Sequence, residues 1–281
     1  MSESAVSKTT AQAPVSVRAC VFDAYGTLFD LHAAARGCID VLGPRGAPLT
    51  ALWREKQLQY TWLLAAQSRH IEFDRVTSDA LDFALETLEI DSPGLRSRLL
   101  ERFKTLDPFP EAGQALRRIK AAGLRLAILS NGTPLMLEAA VASANFDQIF
   151  EAVLSVEQVG AFKPHPRVYS LAVDILDLPP AAIVFISSNA WDAHAASAFG
   201  MRTVWCNRTG QRRERLPGAP DREVRWSIYP RWSWTCDAVR RLVHLERANS
   251  TSERAFAVRG CGLAHPCKRI RSGNLHGFGA W

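Results

Sequence analysis

The chain has 281 residues, of which 47% are hydrophobic and 22% charged, so it can bury one large core or two modest ones. No apolar run approaches the roughly 18 residues of a membrane span. Residues 1–16 are small and polar, without the charged-then-apolar pattern of a secretion signal, and we expect them to form a disordered lead-in. The six scattered cysteines favour free thiols and, with this lead-in, a cytoplasmic protein.

The surplus of basic residues belongs to the C-terminal part of the chain. Residues 210–281 contain 14 Lys and Arg against 6 Asp and Glu, whereas the rest of the chain carries 20 basic and 22 acidic residues. A nucleic-acid partner inferred from the overall charge would depend on this tail alone, and we expect none. The tail is rich in Arg and Trp and largely lacks periodicity, so we expect it to be partly disordered. A reading-frame change after the core would produce such a segment.

The first predicted strand covers residues 18–22 and ends at Asp23 and a turn that contains Gly26. From about residue 31 to 107 the apolar spacing is helical throughout, and it predicts no strand there. The predicted inward-facing stripe of the helix that contains Arg54 consists of Leu52, Leu58, Trp62 and Leu63. The long helical stretch after a single strand indicates an inserted domain.

After Pro108 the pattern alternates between helix and strand, up to a last predicted strand at residues 203–206. Short apolar strands that alternate with helices predict a parallel sheet covered on both faces. The predicted fold class is therefore α/β, a doubly wound, Rossmann-like core with an inserted helical cap domain. The predicted domains are the core at 17–31 and 108–209, the cap at 32–107 and the basic tail at 210–281.

Four polar clusters lie at the predicted carboxyl edge of the sheet, at residues 23–27, 130–133, 163 and 187–192. Ligand sites of parallel α/β sheets lie at this edge. Each cluster by itself is commonly a helix cap or a turn. Four of them at one edge favour a functional site.

The residues 23–30, Asp-Ala-Tyr-Gly-Thr-Leu-Phe-Asp, resemble the first motif of the haloacid dehalogenase superfamily. Ser130, Lys163 and Asp192 resemble its second, third and fourth motifs, in that order. The resemblance covers about residues 17–209 and implies the doubly wound core and helical cap. Two further stretches resemble the 2-haloacid dehalogenases that act on the L enantiomer: Leu-Trp-Arg-Glu-Lys-Gln-Leu-Gln-Tyr-Thr-Trp at 52–62 and Ser-Ser-Asn-Ala-Trp-Asp at 187–192.

Within this superfamily, the residue two positions after the first Asp separates phosphatases from dehalogenases. Phosphatases have a second Asp there, which protonates the leaving oxygen, whereas a halide leaves without a proton. This chain has Tyr25, and a phenol with a reference pKa of about 10 is no ready acid at neutral pH. Phosphatases also hold Mg²⁺ with acidic residues of the fourth motif, where this chain has Ser187 and one carboxylate, Asp192. We therefore expect no metal and no cofactor.

The resemblance implies that the Asp23 carboxylate displaces halide from a small 2-haloalkanoic acid, and that water then hydrolyses the resulting ester. It assigns catalytic work to Asp23, Thr27, Lys163, Ser187, Asn189 and Asp192. The substrate-binding residues that it implies are Tyr25, Arg54, Leu58, Phe73, Ser130, Asn131, Tyr169 and Trp191. Ser130, expected at the start of a helix, would bind the substrate carboxylate. Arg54, Asn131 and Trp191 would cradle the halide.

Several alternatives stay open. Leu58 and Phe73 fit simple packing between cap and core equally well. Tyr169 fits two roles equally well: it orients Asp192 or Lys163, or it occupies a half-buried helix position. The rival functions are a phosphatase of the same superfamily, and an inactive relative that binds a partner through its basic tail. The resemblance also allows a homodimer, for which no residue gives independent evidence.

Overall fold

The computed structural model describes residues 15–225 and Val239. Expectations for residues 1–14, and for the tail beyond 225 apart from Val239, fall outside this part of the chain. Within it, no helix is long and apolar enough to cross a membrane.

The described strands form one parallel sheet. They are β1 (Ala19–Phe22), β2 (Arg125–Ser130), β3 (Ala152–Ser155), β4 (Ile183–Ser187), β5 (Arg202–Asn207) and β6 (Arg222–Arg225). Their order is β3-β2-β1-β4-β5-β6, so β1 lies in the middle, with Phe22 beside Ile128 of β2 and Ile186 of β4. After β1 the chain adds β2 and β3 on one side of the sheet, and after β4 it adds β5 and β6 on the other side. The switch point therefore lies between β1 and β4, and a crevice opens there beyond the carboxyl ends of the strands.

Most of the helices lie between β1 and β2. They are α1 (His32–Arg36), α2 (Ile39–Leu42), α3 (Gly46–Ala66), α4 (Phe73–Thr87), α5 (Leu95–Lys104) and α6 (Ala112–Ala121). The helices between later strands are α7 (Pro134–Ser143), α8 (Pro166–Leu176) and α9 (Ala190–Phe199). The first five form the helical insertion, and α3 packs along α4.

The predicted fold class is confirmed, because a parallel sheet alternates with helices and α1–α5 follow its first strand. The prediction that residues 203–206 form the last strand is wrong, since β6 pairs with β5. The β6 sequence, Arg-Glu-Val-Arg, contains no apolar run that would predict a strand, as is common for a strand at a sheet edge. The sheet therefore continues past residue 209.

The predicted inward-facing stripe of α3 is confirmed only in part, because Leu52 packs against the core and Leu58 is half-buried, whereas the end of the stripe is exposed. Trp62 is 40% exposed and Leu63 is 51% exposed, whereas the polar side chains of Gln57 and Thr61 are buried. A buried polar group is tolerated when it has hydrogen-bond partners, and Gln57 has two. Apolar spacing alone therefore failed at the C-terminal end of this stripe.

Candidate active site

Asp23 lies directly after β1, at the switch point of the sheet, and its carboxylate is surrounded by donors. Its Oδ2 accepts hydrogen bonds from Thr27 Oγ1 at 2.9 Å, Asn189 Nδ2 at 2.8 Å and Ser187 Oγ at 3.3 Å. Its Oδ1 accepts from Lys163 Nζ at 3.0 Å. The carboxylate is thus anchored through one oxygen by neutral donors and paired through the other with a cation.

Lys163 joins Asp23 to a second buried carboxylate. Its Nζ also donates to Asp192 Oδ2 at 2.8 Å, and its side chain is only 1% exposed. Burial acts to lower the pKa of Lys163, but the charges of Asp192 and Asp23 outweigh it and raise that pKa above its ordinary value. Burial raises the pKa of Asp192, while Lys163 opposes the rise and Asp23 adds to it. The three groups form one electrostatic unit with a net negative charge when all are ionised.

Tyr169 fixes the outer oxygen of Asp192. Its hydroxyl donates to Asp192 Oδ1 at 2.7 Å, so both oxygens of that carboxylate have a donor. Burial, together with the negative charge of Asp192, raises the pKa of Tyr169 well above its ordinary value. The phenol therefore stays protonated and keeps donating at neutral pH. The sequence left two roles open for Tyr169, and in the structure its hydroxyl orients Asp192.

Asn189 occupies the N-cap position of α9 but does not cap it. Its side chain makes no capping bond to the helix, and its Nδ2 donates to Asp23 Oδ2 instead. Asn at this position normally stabilises the helix end by accepting a backbone N–H. Asn189 does not follow this preference and bonds to a buried carboxylate instead, which indicates a functional constraint on its position.

Arg208 braces the loops that carry Asp23 and Ser187, and sequence reasoning missed it. It donates through Nη2 to the carbonyl of Thr27 at 2.7 Å and through Nε to Ser188 Oγ at 3.2 Å. Thr27 Oγ1 in turn accepts the N–H of Ser188 at 2.8 Å. Arg208 follows β5, 181 residues from Thr27 and 20 residues from Ser188, so no local pattern pointed to it.

The loop after β2 brings Ser130 and Asn131 to the same edge. Ser130 is fully buried, and its Oγ accepts the N–H of Gly132 at 3.2 Å. Asn131 Oδ1 accepts the backbone N–H of Lys163 at 3.0 Å, which connects this loop to the Lys163 loop. The expectation that Ser130 begins a helix is wrong, because Thr133 is the N-cap of α7 and Ser130 still belongs to β2.

Arg54 reaches the site from α3 of the insertion. Its Nη2 lies 3.4 Å from Asn189 Oδ1, and its Nη1 donates to Gln57 Oε1 at 2.7 Å. Burial lowers the pKa of Arg54, against the opposing influence of the Asp23 and Asp192 charges. The guanidinium therefore lies in the field of both carboxylates without a direct ion pair to either among the described contacts.

Tyr25 and Phe73 form an aromatic wall with Phe103. The ring of Tyr25 stacks on Phe73 at 5.9 Å and on Phe103 at 5.2 Å between centroids. Burial raises the pKa of Tyr25, and its hydroxyl has no hydrogen-bond partner among the described residues. The ring packs so closely on Gly132 that a Cβ there would lie 2.8 Å from it. Phe73 thus has packing contacts between insertion and core, one of the two explanations left open.

Leu58 and Trp191 lie less deeply. Leu58 is half-buried on α3, one turn after Arg54. Trp191 packs edge to face on Trp62 of α3, with ring centroids 5.4 Å apart, and lines a groove together with Tyr169. Their roles in the substrate pocket stay predictions.

No group of three or more His, Cys, Asp or Glu side chains with the arrangement of a metal site occurs among the described residues. The ammonium of Lys163 lies between the carboxylates of Asp23 and Asp192, at 3.0 and 2.8 Å. That the reaction needs no metal stays a prediction, because it depends on the residue types at these positions.

A doubly wound sheet with a helical insertion after β1, and a buried Asp–Lys–Asp unit at its switch point, place a candidate catalytic site where enzymes of this architecture bind their ligands. The chain belongs to the haloacid dehalogenase-like hydrolases, whose family model matches residues 17–200.

Two relatives and one solved structure show the likeness in detail. The (S)-2-haloacid dehalogenase of Pseudomonas sp. (strain YL) is 44% identical over 209 residues, 74% of this chain and 90% of that protein. Haloacetate dehalogenase H-2 of Moraxella sp. (strain B) is 37% identical over 206 residues, 73% of this chain and 92% of that protein. The L-2-haloacid dehalogenase of Xanthobacter autotrophicus with chloropropionic acid covalently bound is 34% identical, with a TM-score of 0.69, over 86% of this chain and all of that one.

Proposed function

We propose that this protein hydrolyses small (S)-2-haloacids to (R)-2-hydroxyacids and halide, with Asp23 as the nucleophile. The observation that carries the proposal is the buried Asp23 carboxylate, held by neutral donors on Oδ2 and by the Lys163 ammonium on Oδ1. The relatives named (S)-2-haloacid dehalogenase and haloacetate dehalogenase indicate the substrate class.

In the first step Asp23 attacks the halogen-bearing carbon from the side opposite the halide. A C–O bond forms, the C–halogen bond breaks, and its electron pair leaves with the halide. Oδ1 is the attacking oxygen, because Oδ2 already accepts three hydrogen bonds and Oδ1 accepts only that of Lys163. The attack inverts the carbon and leaves an ester on Asp23.

In the second step water adds to the carbonyl carbon of the ester. Asp192, which shares the Lys163 ammonium with Asp23, accepts a proton of that water, since burial raises its pKa and makes it a stronger base. Lys163 stabilises the negative charge that develops on the Asp23 oxygen. Collapse of the adduct breaks the bond between the Asp23 carbonyl carbon and the substrate-derived oxygen, and Asp192 passes its proton to that oxygen to give the alcohol. The second proton of the water leaves to solvent, so the Asp23 carboxylate is restored. The inverted centre keeps its configuration because none of its own bonds breaks in this step.

The substrate carboxylate and the departing halide are both anions and need separate sites. Ser130 and the backbone N–H groups of its loop, which leads into the N-terminus of α7, bind the carboxylate. The Arg54 guanidinium, with Asn131 and Trp191, receives the halide. Tyr25, Phe73 and Leu58 enclose the substrate's apolar part, so that displacement takes place away from water.

The test is halide release from each enantiomer of 2-chloropropionate, with and without a metal chelator. We expect release from the (S) enantiomer only, unaffected by chelator, and none from Asp23→Asn. The matched control is Asp91→Asn, an exposed carboxylate between α4 and α5, which should keep full activity. Turnover in ¹⁸O-water should place solvent oxygen in Asp23, as mass spectrometry of the Asp23 peptide would detect.

Magnesium-dependent release of phosphate from an aryl phosphate, without halide release, would establish the phosphatase instead. An enzyme that releases halide without ever labelling Asp23 would refute the ester mechanism. The proposal also includes a cytoplasmic location and the homodimer that the resemblance allows. Sedimentation of the purified protein tests the homodimer.

A further inference from the structure

Within the insertion, a chain of hydrogen bonds runs from Arg54 on α3 through Gln57 to Thr77 on α4. Gln57 is 1% exposed, although its side chain is fully polar. Its Oε1 accepts from Arg54 Nη1 at 2.7 Å, and its Nε2 donates to Thr77 Oγ1 on α4 at 2.7 Å. Thr77 Oγ1 donates to the carbonyl of Phe73 at 2.7 Å. Because both ends of the Gln57 amide have partners of the required type, its orientation is fixed.

Arg54 needs such an anchor because of the charges around it. Its other described hydrogen bond, to Asn189 Oδ1, is long at 3.4 Å. The carboxylates of Asp23 and Asp192 both attract the guanidinium. Arg54 is half-buried while both carboxylates are buried, so this attraction is stronger than in water, and an unanchored guanidinium would move into a direct ion pair with Asp23. Such a pair would occupy the nucleophile and remove the cation from the path of the halide.

Gln57 is suited to this task because it is a neutral acceptor. It holds the guanidinium by one short bond without cancelling its positive charge, as a carboxylate would. Its own second bond, to Thr77, carries the constraint from α3 to α4. The Trp53 indole adds a parallel link, from Nε1 to the Thr77 carbonyl at 2.8 Å. The position of Arg54 is therefore set by the packing of two helices rather than by the site itself.

We propose that Gln57 is a positioning residue for dehalogenation, which holds the Arg54 guanidinium where the halide departs and away from Asp23. This inference depends on the proposed function. A Gln57 that only joins α3 to α4 would affect stability and would treat all substrates alike. If Gln57 positions the Arg54 guanidinium for the departing halide, its loss should lower kcat more for a poor leaving group, such as chloride, than for a better one, such as bromide.

The experiment compares (S)-2-chloropropionate with (S)-2-bromopropionate in wild type, Gln57→Met and Thr61→Val. Thr61 is the matched control, because it is equally buried on α3, one turn later, and among the described residues its hydroxyl bonds only to the Leu58 carbonyl of its own helix. We expect Gln57→Met to lower kcat for the chloro acid roughly 10–100-fold, the range for a lost bond to a charged group. KM should stay within about 3-fold, and the bromo acid should lose several-fold less. Thr61→Val should change neither kcat nor the substrate ratio.

Thr77 supplies a second, independent arm. Thr77→Val leaves Gln57 without its acceptor and should shift kcat and the bromo-to-chloro ratio in the same direction, by less. Thr77→Ser keeps the hydroxyl and should restore both values. This arm tests the inference even if Gln57→Met does not fold.

The outcomes separate the two proposals. An active wild type with equal losses on both substrates, or with no loss beyond about 2-fold, would refute the positioning role and leave the proposed function intact. A wild type that releases halide from neither substrate would refute the proposed function, and the inference with it.

Discussion

Replacement of Lys163 by Met tests whether the Asp23–Lys163–Asp192 unit is held together by charge. Met keeps the length and the apolar stem of the side chain and removes only the ammonium. Asp23 and Asp192, whose side chains are 8% and 0% exposed, then face each other without a cation. Removal of one partner from a buried ion pair leaves an uncompensated charge in a medium that solvates it poorly.

The expected cost at pH 8 is roughly 3–5 kcal/mol of unfolding free energy, the usual range for a buried pair that loses one partner. The cost depends on pH in a definite direction. Without Lys163 the folded pKa of Asp192 lies further above its unfolded value of 3.8, so the folded variant binds a proton that the unfolded chain has released. The deficit is therefore largest above the raised folded pKa and shrinks as the pH falls towards about 4.

The assay is urea unfolding followed by circular dichroism, at pH 8 and pH 5.5. Lys104→Met is the control, because Lys104 pairs with Glu101 on the surface, with side chains 52% and 70% exposed. Exposed pairs contribute at most about 1 kcal/mol, and this variant should show no pH-dependent deficit. A Lys163→Met deficit below about 1 kcal/mol at pH 8 with an unchanged m value, or one that is equal at both pH values, would refute the reasoning.

Three further predictions concern the surroundings of the site. Tyr25→Phe removes a buried hydroxyl that lacks a partner among the described residues, so thermal unfolding should show equal or higher stability, by up to about 1 kcal/mol; a loss of more than that would reveal a hidden partner. The pKa values of Tyr25, Tyr169 and Lys163 are raised above 10.0, 10.0 and 10.5. Because the unfolded chain loses these protons first, stability should be complete below about pH 10 and fall as the pH rises further, whereas a flat urea profile from pH 9 to 11 would contradict this. Arg208→Lys cannot reproduce both bonds, to Thr27 and to Ser188, so the free energy of unfolding should fall by about 1–3 kcal/mol. The kcat should also drop, with KM nearly unchanged. A variant with wild-type kcat would show that these bonds of Arg208 have no effect on Asp23.

Local sequence patterns were sufficient for the architecture up to β5. The alternation of apolar strands and helices predicted the parallel sheet, because a strand buried on both faces must be apolar along its whole length. The hydrogen bond from Thr27 to Asp23 spans four residues and belongs to one turn, and Gly26 in that turn has a φ of +85°, which favours glycine. The strand β6 escaped notice because charged residues at a sheet edge carry no apolar signal.

The sequence determined which residue types stand at the carboxyl ends of the strands, and therefore that an Asp, a Lys and a second Asp can meet at one edge of a sheet. Only the tertiary structure decided how they are held. Arg208 joins two loops from a third, and Asn189 bonds to Asp23 instead of capping its own helix. Gln57 links Arg54 to Thr77 on α4. The physical reason is the range of the interactions. Backbone propensity and apolar spacing act over a few residues and can be read in order along the chain, whereas the bonds that orient the site join residues up to 181 positions apart and exist only once the chain has folded.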